Sequence, residues 1–237
     1  MIISAHQPAY LPWAGYLHRI AISDVFVILD NVQFEKNSFT NRNRIKSPSG
    51  SVWLTVPVSQ KGHMSGTISD IKIAKHSNWL KKQWKTIQQS YSKALYYKDH
   101  KVFFESIFTQ DWDNLTLLNQ TILNYLLAQF QIDTPLIMMS EMDLEGKKQD
   151  LIIDICKTLN ADQFIFGGLG AEYVDTEYFK AAGIVPYYHE YTTLPYNQLW
   201  GTFEENLSII DMLFNVPPVE LRHHLFASGE VKLVGQS

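Results

Sequence analysis

Residues 1–46 constrain the fold more than any other part of the chain. An apolar stretch, Met1-Ile2-Ile3-Ser4-Ala5, runs into His6-Gln7-Pro8-Ala9-Tyr10-Leu11-Pro12-Trp13-Ala14-Gly15-Tyr16. A short helical pattern follows, and a second apolar stretch, Val25-Phe26-Val27-Ile28-Leu29, ends on Asp30. Strand, proline-fixed loop, helix and strand make a βαβ opening. Sheets of that kind hold their ligands in the crevice beyond the carboxyl ends of the strands. His6 and Asp30 fall at two such ends, so the chain begins by building what reads as a small-molecule site.

The rest of the chain extends this pattern. Residues 31–50 are rich in Asn, Ser, Arg and Lys and read as a long functional loop. Residues 51–58 read as a strand whose end, at Pro57, lies at an edge or rim. The alternation over 68–73 predicts another strand. Helical spacing then takes over at 78–91, 102–108 and 115–130, which suggests a helical insertion at about 78–130. Strand and helix alternate again from 136: strands at 136–139, 163–166 and 184–188, helices at 148–159, 175–182 and 204–214. Gly183 stands where a helix-ending glycine belongs, and Asp175 where an N-cap belongs. The expected fold is α/β, a three-layer Rossmann-like arrangement around a mostly parallel sheet. A single domain over 1–237 with that helical insertion is expected.

Composition narrows the function classes. Apolar content of 46% and charged content of 19% describe an ordinary folded chain. A net charge of −4 argues against broad nucleic-acid binding, which depends on basic fields. Cys156 is the single cysteine, so no internal disulfide can form, and a reducing compartment fits. No apolar run approaches the ~18 residues of a membrane span, and no secretory signal opens the sequence. A cytoplasmic location without membrane insertion or DNA binding is the expectation.

Several constellations are candidates for chemistry. His6, held at the sheet rim, suits donation to a phosphate oxygen or proton shuttling. Gln7 and Tyr10 are read equally well as ligand contacts or as loop packing. Gly15 opens a helix, where a missing side chain admits either a phosphate or a neighbouring element. Asn41-Arg42-Asn43-Arg44-Ile45-Lys46 interleaves cations with amides, and in an acidic chain Arg42, Asn43, Arg44 and Lys46 read as an anion-binding loop folded back over the crevice. Gln33 is placed to read a base or sugar edge. Gly167-Gly168-Leu169-Gly170 is either a phosphate loop or a tight turn, with Gly168 and the following Tyr173 as its contacts. His189-Glu190-Tyr191 lies at a strand end, and Tyr196 and Gln198 beyond it can face the same crevice. No H-E-x-x-H, cysteine-based zinc spacing or G-x-S-x-G elbow is present, so no metal site is assigned.

The segment from His6 to Lys46 closely resembles the WbqC-like protein family. The likeness rests on HQPxYLPWxGY at 6–16, SDVFVILDNVQF at 23–34 and NRNRIK at 41–46. LTVPV at 54–58, the Tyr91 region, YxQ at 196–198 and LSIIDMLFN at 207–215 extend it over nearly the whole chain. The resemblance implies bacterial polysaccharide or O-antigen biosynthesis, with transfer of glycine or a related acyl group to an amino sugar. More distantly, the 6–16 loop is similar to the H-x-G-H loop of nucleotidylyltransferases and pantothenate synthetase, which binds ATP phosphates and forms adenylates. Tyr16 stands near the place of that motif's second histidine, and His18 lies two residues on.

Together these readings predict an acyl or aminoacyl transferase, or an ATP-dependent amide ligase. It would join glycine or a similar acyl group to the amine of a nucleotide-linked amino sugar. ATP with magnesium, or an aminoacyl-tRNA, would supply the activated donor. His6 would meet the phosphate or departing group, and Asp30 would orient the amine or hold magnesium. Arg42, Arg44 and Lys46 would clamp phosphates. A non-catalytic module that binds a nucleotide sugar is the alternative. The helical insertion is open to two uses, as a lid or as the surface of a homodimer.

Overall fold

The computed structural model describes residues 1–59, 66–75, 78–168, 172, 174–227 and 229–234. The apolar runs of the two ends become one sheet. Its strands are β1 (Ile2–His6), β2 (Val25–Ile28), β5 (Leu136–Met138), β6 (Gln163–Phe166), β7 (Val185–Tyr191) and β8 (Gly229–Leu233). They lie in the order β5-β2-β1-β6-β7-β8. All neighbours are parallel except β8, which runs antiparallel to β7. Counted along this sheet alone, the order is third, second, first, fourth, fifth, sixth, the doubly wound pattern.

Alternation along the strands explains why helices cover both faces. Phe26 and Ile28 of β2 enter one apolar cluster, and Val27 enters the other. The first cluster gathers α1 (Ala14–Ala21) with α2 (Trp79–Tyr91), α3 (Tyr97–Thr109) and α4 (Leu115–Gln129). The helical segment therefore shares its core with the first helix. The second cluster packs α5 (Gln149–Thr158) and α6 (Thr176–Ala181) against Ile3, Phe164 and Phe166. Helix, sheet and helix form the expected three α/β layers. Asp175 caps α6 by accepting from the Tyr178 amide at 3.1 Å, and Gly183 follows its end with φ +79°. Burial pushes the Cys156 thiol up to about 12, which keeps it inert inside α5.

Four expectations need correction. Residues 31–50 are not all loop: β3 (Arg42–Ser47) and β4 (Gly50–Thr55) form an antiparallel hairpin. The 68–73 alternation gives a 3-10 turn, Ile68–Asp70, followed by isolated bridges, because its amides and carbonyls pair one or two at a time with separate segments (Asp30 and Val32, Ser59, Asp113 and Leu115) rather than along a single neighbouring strand. The helix expected over 204–214 starts later, as α7 (Ile210–Asn215), after Ser208 has paired with Trp13. The end of the chain adds α8 (Leu221–Phe226) and β8, which the sequence pattern did not declare.

Candidate functional site

The order of the sheet puts its switch point between β1 and β6. The helix that follows β1 packs on one face, and the helix that precedes β6 packs on the other. Their divergence leaves a crevice at the carboxyl ends of the strands. A cavity of about 1090 Å³ occupies it. Its rim comes from His6 and Gln7 after β1, Gly167 and Gly168 after β6, and His189 to Thr192 at the end of β7. Gly15 and Arg19 of α1 line one side, and Lys148 and Gln149 at the start of α5 line another.

The loop that carries His6 is fixed at many points. The Tyr10 amide donates to the Phe39 carbonyl at 2.9 Å, and the Pro12 carbonyl accepts from the Ile209 amide at 2.7 Å. Leu11 is fully buried with φ +45°, a left-handed conformation unusual for a branched side chain. The Asn43 amide group holds it there by donating to the Leu11 carbonyl at 2.6 Å.

His6 Nδ1 lies 2.9 Å from the Gln7 carbonyl, which also accepts from the Tyr16 hydroxyl at 3.2 Å. A carbonyl can only accept, so Nδ1 carries the ring proton. Burial, followed by the Arg19 guanidinium, lowers the His6 pKa to about 3. The ring is therefore neutral near pH 7, and Nε2 keeps its lone pair. In this tautomer Nε2 has no proton, so donation from it to a phosphate needs the ring to take up a second one.

Arg19 is the buried cation among the described residues of this crevice. It is 4% exposed, and its charge also lowers the pKa of His189. Gly167 makes room for it, since a Cβ there would stand 2.8 Å from Arg19 Nη1. Gly15 serves close packing: a Cβ would meet Tyr191 Cβ at 3.1 Å. Lys148, with φ +54°, turns the chain into α5 and is exposed at the mouth. Behind the wall, His18 and His189 stack with ring centroids 4.9 Å apart and share a hydrogen bond of 2.8 Å between Nδ1 and Nε2. Burial is the main cause that lowers them to about 4 and about 3, respectively.

Of the residues singled out from the sequence, His6, Gln7, Gly15, Gly167, Gly168, His189, Glu190 and Tyr191 line the crevice. The other described ones do not line it. Asp30 is buried, and its carboxylate accepts from the Ser140 amide at 2.8 Å and the Ser140 hydroxyl at 2.6 Å. It ties the turn after β5 to the end of β2, so neither role expected of it, orienting an amine or holding magnesium, has geometric support. Tyr10 is fully buried and donates to Gln83 Oε1 at 2.6 Å. Gln33 is exposed and bridges to Thr67. Lys46 is 1% exposed and donates to Gln198 Oε1 at 2.9 Å and to the Thr202 carbonyl. Tyr196 donates to Asp211 at 2.8 Å. Arg42 and Arg44 lie on the hairpin rather than folding back over the crevice. Tyr173 falls outside the described residues.

Arg19 and Lys148 were not anticipated. Arg19 had a readable signal, because it follows Gly15 by four residues and so shares its helix face. Lys148 had none, since nothing local announces a crevice wall.

A loop built on HQPAYLPW at this switch point is the feature that comparison with known proteins tests. The profile of the WbqC-like protein family matches residues 7–223. The chain belongs to the WbqC-like protein family. The uncharacterized protein Rv1507c of Mycobacterium tuberculosis is 34% identical over 212 residues, covering 89% of this chain and 91% of that protein. No solved structure matches the chain. Membership of the WbqC-like family suggests a role in polysaccharide biosynthesis and is suggestive of an enzyme. Among the described residues of this WbqC-like chain, no helix is long and apolar enough to cross a membrane.

Proposed function

We propose that the crevice between β1 and β6 joins glycine or a similar acyl group to the amine of a nucleotide-linked amino sugar in bacterial surface-polysaccharide (O-antigen) assembly. One observation carries this reading: a neutral histidine with a free Nε2 lone pair at the rim of a crevice that also holds Arg19. The volume, about 1090 Å³, exceeds that of most single-ligand pockets and leaves room for two reactants.

The chemistry follows from those groups. The amine of the sugar attacks the acyl carbon, and a carbon–nitrogen bond forms. The bond from that carbon to its leaving oxygen breaks, and the electron pair departs with the leaving group. That group is AMP if ATP has made an adenylate, or a tRNA ribose oxygen if the donor is an aminoacyl-tRNA. The proton lost by the amine goes to His6 Nε2. Arg19 steadies the negative charge of the departing group. Anionic ligands beside Arg19 also offset its repulsion of a protonated imidazole, which raises the basicity of His6 against the larger, opposing effect of burial.

The test is to incubate the protein with magnesium, ATP, glycine and a dTDP-amino sugar, with glycyl-tRNA as the parallel donor. Product is read as a mass gain on the sugar and, in the ATP arm, AMP release. His6→Ala should abolish it with little change in folding. Tight binding of the sugar nucleotide without turnover under either donor would overturn the enzymatic reading in favour of a binding module.

A further inference from the structure

The outward face of the β3–β4 hairpin is unlike the rest of the surface. Arg42 and Arg44 share that face with Trp53, whose register partner is Arg44. The Arg42 guanidinium lies 4.3 Å from the Trp53 ring centroid, and that of Arg44 lies 5.7 Å from it. Trp53 is 46% exposed and neighbouring Phe39 is 44% exposed, in a protein that buries most of its large aromatic side chains. A cross-strand stack of this kind stabilises a hairpin by itself. That role explains one arginine against one ring. It does not explain a second arginine on the same indole, or the exposed Phe39 beside it.

Continuity with the crevice supplies the missing reason. Phe39 is 6.1 Å from Trp53 and 5.2 Å from Trp13, and Trp13 is 5.6 Å from His6, all between ring centroids. Trp13 also lines the crevice. An aromatic track therefore leads from the proposed base to a platform that carries two guanidinium groups. The backbone beneath it is held in place: Asn43 and Ile45 point inward, and the Arg44 carbonyl accepts from the Ser208 amide at 2.8 Å.

The geometry points to a bipartite site in which the hairpin face binds the nucleoside diphosphate half of the sugar nucleotide, while its sugar reaches past Phe39 and Trp13 to His6. The assignment rests on the function proposed above and adds where the nucleotide lies. Arg42 and Arg44 offer forked donors to the two phosphates, and the turn of Arg42 from the Trp53 ring toward them frees that planar surface for a base. The three ring-to-ring steps bound the span from Trp53 to His6 from above, and that bound lies within the reach of an extended nucleoside diphosphate sugar.

Binding of dTDP and of a dTDP-amino sugar, measured by titration calorimetry on the whole chain, tests this. The double variant Arg42→Gln/Arg44→Gln should weaken both ligands by about tenfold or more, as loss of charge-assisted contacts does. Trp53→Leu should weaken dTDP but leave any binding of inorganic pyrophosphate unchanged. His6→Ala should leave dTDP affinity unchanged. Hairpin variants that bind dTDP as tightly as the parent, with Arg19→Gln weakening it instead, would overturn the assignment by moving the diphosphate into the crevice. The function proposed above would survive that result. Failure of the parent protein to bind either ligand would overturn both.

Discussion

Two polar assemblies in this protein use similar residues to opposite ends. Around the crevice stand His6, Gln7, Arg19 and Glu190, next to open volume. Inside the protein stand Lys46, Gln198, Tyr91, Tyr196 and Asp211, closed on one another. Asp211 is fully buried and accepts from the hydroxyls of Tyr91 and Tyr196, each at 2.8 Å. Tyr91 in turn accepts from the Lys46 amide at 3.1 Å. Gln198 Oε1 takes both the Lys46 ammonium and the Glu204 amide at 2.9 Å. Burial raises the Asp211 pKa despite these donors and the charge of Lys46. What separates the two assemblies is their surroundings: the inner one is closed within the chain, whereas the outer one, although Glu190 pairs with Lys232 and His6 with the Gln7 carbonyl, borders open volume. The inner set should therefore govern stability and the outer set ligand binding.

Lys46→Met gives the largest expected effect on that distinction. It removes the charge that steadies Asp211 and the donor to Gln198, and should lower unfolding stability by about 3–5 kcal/mol in urea titration. An equal loss from His6→Ala would break the comparison. Gly229→Ala comes next. A Cβ there would stand 2.1–2.5 Å from the ring atoms of His18, so about 2–3 kcal/mol should be lost by thermal unfolding. Asn43→Ala should cost about 1–2 kcal/mol, because the Leu11 carbonyl loses its buried partner. It sharpens the comparison, since a looser loop should also move the His6 ring resonances in NMR spectra.

The smallest effect is on pH dependence. His18 and His189 have folded values of about 4 and about 3, below the ordinary 6.5. Their depressed values make the unfolded chain the first to take up protons as pH falls through about 6.5. Stability present above that pH is lost below it. Between pH 7.5 and 6.5 the unfolding free energy from urea titration should fall by about a few tenths of a kcal/mol for each of the two rings, with His6 adding a similar amount. A value that rises over this interval would mean that the pair is charged in the folded protein.

The five parallel strands of the sheet were legible because each is a short apolar run beside helical segments, and 163–166 matches β6 residue for residue. Of the hairpin, β4 was read as part of a strand over 51–58, whereas β3 was hidden. The outward positions of β3 are Arg42 and Arg44 and its inward ones include Asn43, so little of the usual apolar alternation remains. For the site, His6, Gln7, Gly15 and Gly168 could be placed at the crevice because strand ends locate them. Tyr10 and Lys46 could not be placed correctly, because their partners Gln83 and Gln198 come from distant segments. A polar side chain shows its type in a sequence but not which way it faces. Asp30 illustrates this, since a strand end locates it while the remote Ser140 decides its use.

The antiparallel last strand has a consequence for how the crevice wall is completed. Every residue that lines the crevice lies at or before Thr192. Yet the wall behind His189 is backed by His18, and Gly229 of β8 packs directly on that ring. A chain ending just after Thr192 would carry all the described crevice residues and still lack the strand that packs on His18. The wall behind His189 is therefore complete only once β8 has paired with β7.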